Sequence, residues 1–150
     1  MSLKINFKIS EFNISGRPIP ETIADKILEY HIAPIQPLRE EMDIPMWPSD
    51  KSGYRSPSWE KKKGRNGKSQ HTFKEKGAVD WTCEDFLKNK EDFLKGIIKY
   101  TDYTRIAIYD TFLHCDYKET SSGKRQIFKS TPDSKWTFLC HAEDYKETKL

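Results

Sequence analysis

His71, Asp80 and His114 are the residues of this chain whose types and surroundings combine into a plausible metal-binding set. Two imidazoles and one carboxylate are a recognised three-ligand set for catalytic zinc, with the fourth position left to water. Zinc brings the pKa of such a water toward neutrality and polarises a carbonyl, so the chemistry implied is hydrolytic. The three residues are not contiguous, unlike the two histidines of an H-E-x-x-H helix, so spacing alone carries little and the fold must bring them together.

Each has a readable local context. His114 lies in the β-branched and aromatic run of residues 112–117, where residues two apart share a face. His114 and Asp116 therefore project together while Cys115 faces the other way. Burying either polar group without a partner would be costly, so the pair needs company. His71 ends Ser69-Gln70-His71 and is followed by Gly77-Ala78-Val79-Asp80, a small-residue run that leads an aspartate into a strand. His31 and His141 lack a matching carboxylate context. His31 reads as a cation complementing the end of the first helix, and His141 as the residue after the last strand.

The elements that must position these residues are legible in outline. Residues 20–31 read as a helix, with proline in its first turn and Ile23, Ala24, Ile27 and Leu28 on one face, ending before Pro34 and Pro37. The proline-bearing stretch that follows is expected to run extended along the surface to Ser52-Gly53-Tyr54-Arg55. A second helix is predicted from about 84 to 100, with Thr82 as N-cap and Asp85 as its capping-box partner. Phe86, Leu87, Phe93, Leu94, Ile97 and Ile98 form its buried stripe. Strand-like runs follow at 105–109, 112–117, 126–129 and 136–140, with Ser121-Ser122-Gly123-Lys124 as a hairpin turn. This order predicts one α+β domain over residues 1–150, a small antiparallel meander with two main helices.

Composition bounds the partners. With 35% apolar and 33% charged residues, the chain of 150 residues supports one soluble core without staples. Its net charge of +3 is too nearly balanced to argue for nucleic acid. The basic run at residues 61–68 reads as a mobile loop without interleaved aromatics, a solvated surface or a rim that attracts an anionic polymer. No stretch approaches the roughly 20 apolar residues of a membrane helix, and residues 1–15 do not resemble a signal peptide, so synthesis and folding in a cytoplasm are expected. Cys83, Cys115 and Cys140 are widely spaced and read as small buried residues rather than disulfide partners or a zinc knuckle.

The blocks Ser52-Gly53-Tyr54-Arg55-Ser56, Ser69-Gln70-His71, Gly77-Ala78-Val79-Asp80 and Phe112-Leu113-His114-Cys115-Asp116 occur in order. Together they resemble the zinc D-Ala-D-Ala carboxypeptidase and L-alanyl-D-glutamate endopeptidase family, in the version often encoded by bacteriophages. The resemblance spans roughly residues 50–118 and implies a fold shared with the hedgehog signalling domain. It also implies a zinc metallopeptidase that cuts an amide bond in peptidoglycan stem peptides, as an endolysin or a virion-associated wall hydrolase. His71, Asp80 and His114 would be the zinc ligands. Arg55 would hold the substrate carbonyl or carboxylate, a role suited to a permanently charged, two-pronged guanidinium. Ser69 would bind the substrate peptide, or else simply form a turn. The expected partner is the wall peptide, with no nucleic acid and no membrane, and the expected state is a monomer.

Two departures stand out. The family spaces its first histidine and aspartate as H-x-x-G-x-A-x-D, and this chain carries two extra residues within 72–76. The general base of many members lies three residues before the last histidine, where this chain has Thr111. Asp110, Asp116 and Glu75 are the candidate replacements. Asp116 could alternatively orient a ligand histidine. A noncatalytic, zinc-stabilised binding domain of the same fold is the alternative function.

Overall fold

Side chains alternate along a strand, and that alternation gives this protein a sheet with two unlike faces. The computed structural model describes residues 5–65, 67–131, 133 and 135–145. Strands β1 (Met46–Pro48), β2 (Ala78–Cys83), β3 (Arg105–Ile108), β4 (Leu113–Asp116), β5 (Gln126–Ser130) and β6 (Trp136–His141) lie in the order β1-β2-β4-β3-β5-β6. With its helices this makes a small single-domain α+β fold. Val79, Trp81, Ile106, Ile108, Leu113, Cys115 and Ile127 are buried on the core face. On the opposite face one lateral row runs Asp80, His114, Ala107, Phe128, Phe138 in register across five strands.

The sheet is not a meander. β3 and β5 pair in parallel, and β4 is held between β2 and β3, so residues 117–125 must cross over to reach the free edge of β3. The expected turn exists, with Gly123 N–H donating to the Thr120 carbonyl, but it sits in this crossover rather than in a hairpin. The tight hairpin is instead β3–β4, closed by Tyr109 N–H to Phe112 O. The stretch expected on the surface supplies β1, whose Met46 is buried against the core.

The first helix does not stop at its prolines. Helix α1 (Glu21–Ile27) runs through a wide π turn (Leu28–Ile32) into α2 (Ala33–Met42). Proline has no N–H, so Pro34 frees the carbonyl four residues back. That carbonyl, on Tyr30, accepts the Tyr117 hydroxyl at 2.5 Å, and the helix survives. His31, expected as a cation at a helix end, is fully buried inside the π turn. Its Nδ1 lies 2.6 Å from the Tyr103 hydroxyl and its Nε2 lies 2.9 Å from the Lys76 carbonyl. Burial lowers its pKa to about 3, so it is neutral.

Helix α3 (Pro57–Lys62) replaces part of the expected basic loop. Ser56 caps it by accepting the Trp59 N–H, and Pro57 sets its first turn. Helix α4 (Phe86–Tyr100) begins differently from expectation. Thr82 belongs to β2 and donates to the Thr111 carbonyl, while Asp85 takes a left-handed conformation and makes no side-chain cap. This start turns Phe86 inward and leaves Leu87, one residue round the helix, 80% exposed. Phe93, Leu94 and Ile97 carry the packing. The cysteines are free, with Cys83 and Cys115 buried and Cys140 partly so.

Candidate metal centre

β2 and β4 pair so that Asp80 stands opposite His114, and the 3-10 turn Gln70–Thr72 brings His71 against both. Asp80 Oδ1 lies 3.4 Å from His71 Nε2 and 2.9 Å from His114 Nδ1, and the imidazole centroids are 5.1 Å apart. Among the described residues, this trio is a group that could hold a metal ion.

Hydrogen bonds behind the trio fix which atoms face inward. His71 Nδ1 is 2.9 Å from the Gly53 carbonyl, which can only accept, so Nδ1 carries a hydrogen and Nε2 is the atom turned toward Asp80. A proton or a metal ion held between Nε2 and the carboxylate oxygen would satisfy both atoms. His114 Nε2 likewise donates to Asp116 Oδ2 at 2.8 Å, which turns Nδ1 toward Asp80. Tetrahedral coordination at 2.0–2.1 Å separates ligand atoms by about 3.3 Å, close to the 3.4 Å between His71 and Asp80. The 2.9 Å between His114 and Asp80 is a hydrogen-bond length that a metal would widen. The donor set thus fits a divalent ion that accepts nitrogen and oxygen.

The electrostatics agree. Burial opposes ionisation of Asp80, but His71 and His114 outweigh it and hold the carboxyl well below its ordinary range. Burial also opposes a charge on His114, yet Asp116 and Asp80 raise its pKa to about 9. Without a metal, a proton on His114 neutralises the site. A metal would displace that proton.

Each ligand is also braced from outside. Asp80 Oδ2 accepts the Ser52 hydroxyl at 2.8 Å. Asp116, fully buried, receives Arg105 Nε at 2.9 Å and Nη2 at 2.5 Å, together with the Lys118 N–H at 3.0 Å. Arg105 in turn lies over the Trp136 ring at 4.7 Å, and that ring is 5.2 Å from His114. Gly53 must be glycine, because a Cβ there would sit 2.8 Å from the Phe12 backbone oxygen.

Of the other sequence-predicted residues, Arg55 is at the site. Its Nη2 lies 4.0 Å from Asp80 Oδ2 and 3.4 Å from Ser52 Oγ, and its Nε is buried without a hydrogen-bond partner. Ser69 accepts the His71 N–H at 3.2 Å, the turn-forming role, and also lines the hollow beside His114. Asp116 is brought in as well, but its oxygens are committed to Arg105 and His114. Asp110 stands exposed at the β3–β4 bend, in no hydrogen bond or ion pair among the described residues. Glu75 is exposed in the loop between His71 and Asp80, and Thr111 is exposed too.

Comparison with protein-family models, curated proteins and solved structures finds no match to this chain. The functional reading rests on the site and on the resemblance of the sequence blocks around it.

Sequence reasoning missed Ser52, Gly53, Arg105, Trp136 and His31. Ser52 and Gly53 had a signal, their place immediately before Arg55. Arg105 and Trp136 had none, since they meet Asp116 and His114 only through strand pairing. His31 holds the Lys76 carbonyl, and so anchors the loop joining two of the ligands.

Proposed function

We propose that this protein is a zinc-dependent peptidase that hydrolyses an amide bond in peptidoglycan stem peptides, as carboxypeptidase or endopeptidase. The observation that carries the reading is the inward-facing atom set of His71, Asp80 and His114, with the second nitrogen of each imidazole engaged from behind and Arg55 alongside. When bound, zinc supplies Lewis acidity, polarising a carbonyl and making a water acidic. The chain's own groups bind and orient. Arg55 offers a partly desolvated guanidinium for a substrate carbonyl or carboxylate, Ser69 and Gln70 line the approach, and Trp136 closes one side. The ordered blocks described above support a phage-encoded wall hydrolase of hedgehog-type fold, and no helix among the described residues is long and apolar enough to cross a membrane.

A second reading has a specific observation in its favour. Asp116 is fully engaged, Asp110 stands exposed with no hydrogen bond or ion pair among the described residues, and Thr111 occupies the family's base position, which suits a zinc-stabilised binding domain without turnover. Metal analysis followed by incubation with purified peptidoglycan separates the two, comparing wild type with His114→Ala and Asp110→Ala. Stoichiometric zinc with release of stem-peptide products, lost in His114→Ala, is the expected result. Zinc without products favours the binding domain, and no zinc removes both readings.

A further inference from the structure

Three surface hollows of about 300, 210 and 220 Å³ share walls and run from α3 to the metal centre. Thr72 and Lys74 line the first two, and Lys68, Ser69 and Gln70 line the second and third. The third ends on His114. Along this path lie six cationic side chains, Lys61, Arg65, Lys74, Lys68, Arg105 and Lys118.

The acids along the path are few and largely committed. Asp116 is held by Arg105 and His114, Glu60 is buried and pairs with Arg65 at 3.4 Å, and Glu75 is the remaining one. The lining carries six basic side chains against two acidic ones, Asp116 and Glu75, in a chain whose net charge is only +3. Positive charge is thus gathered on the approach to the candidate metal centre.

We propose that this groove binds the acidic portion of a peptide substrate and leads it to the His71–Asp80–His114 centre. Carboxylates borne along an extended peptide match lysines and arginines spaced along a shallow path, with Ser69 and Gln70 to hydrogen-bond the backbone. A nucleic-acid strand fits less well, because the aromatic rings in the lining, Trp136 and His114, stand together at one end and offer no stacking path for successive bases. The substrate class deepens the peptidase reading and rests on it for the direction of the chain, whereas occupancy of the groove is measured by binding alone.

The test is fluorescence anisotropy of labelled oligo-L-glutamate, oligo-L-glutamine and oligothymidine with the full chain, with and without zinc. Oligo-L-glutamate should bind in preference to oligo-L-glutamine in both states and weaken as salt rises. Lys74→Glu combined with Lys118→Glu should reduce its affinity by about tenfold or more, while Lys88→Glu, the same charge change on α4, should leave it near wild type. Lys118 carries an N–H bound to Asp116, so Lys74→Glu with Lys61→Glu provides a second pair away from the ligands. Equal binding of the two peptides, equal loss in Lys88→Glu, or tighter binding of oligothymidine than of oligo-L-glutamate would each overturn the proposal. Each outcome is readable whether or not peptidoglycan is cleaved.

Discussion

At the scale of single residues, the centre is defined by what stands behind its ligands. A histidine is a defined ligand only when its second nitrogen is engaged, and here Gly53 O and Asp116 do that for His71 and His114. Asp116→Asn removes the charge that orients His114 and balances Arg105. The expected result is a loss of zinc affinity of about 10- to 100-fold, measured by competition with a chromophoric chelator. An affinity equal to wild type would mean that Asp116 does not orient the ligand. The same contacts explain why Asp116 is a poor general base: protonating it would break an ion pair with Arg105 inside a buried site.

At the scale of elements, the long first helix and the loop between ligands are joined by buried polar contacts. Trp81 Nε1–H donates to the Tyr103 hydroxyl, which meets His31, which donates to Lys76 O. His31 is neutral in the folded state with a pKa of about 3, below its unfolded value of 6.5. Its stabilising contribution is complete above pH 6.5 and is lost as pH falls toward 3, at up to about 1.4 kcal/mol per pH unit. Urea denaturation of the metal-free protein between pH 7 and 4 should show a shallower loss of stability in His31→Gln than in wild type. Parallel curves would exclude His31 as the source. Tyr117→Phe removes the donor that satisfies the Tyr30 carbonyl freed by Pro34, and should cost about 1 kcal/mol in the same assay. Gly77 belongs to this scale too. Its φ of +85° and a Phe73 ring 2.2 Å from any added Cβ leave no room for alanine, so Gly77→Ala should destabilise the loop and weaken metal uptake.

At the scale of the whole molecule, one sheet face builds the core and the other carries the candidate metal centre. Because His71 comes from outside the sheet, a metal at the centre ties the loop to β2 and β4, and binding must appear as stability. Zinc should raise the thermal midpoint in proportion to the logarithm of its concentration, with about 1.4 kcal/mol per tenfold increase above the dissociation constant. His114→Ala should abolish the increment. A midpoint insensitive to zinc and to chelator would argue against the site.

The candidate trio and the α+β class were legible from local pattern, namely alternation around His114, small residues before Asp80 and amphipathic spacing in α4, while Arg55 was reached only through the family resemblance. Thr82, Asp85 and Leu87 show the limit of that reading, since a strand and a left-handed turn claimed residues that also fit a capping motif. Pro34 and Pro37 show another, because a proline ends a helix only when nothing distant satisfies the freed carbonyl, and Tyr117 does so from 87 residues away. The sequence by itself determined the chemical types at the centre and the periodicity that places them on strands and turns. Only the tertiary structure decided the parallel pairing of β3 with β5, the Arg105 clamp on Asp116, the Trp136 wall and the alignment of six cations into one groove. Those depend on contacts between distant segments, whose energies no local spacing encodes.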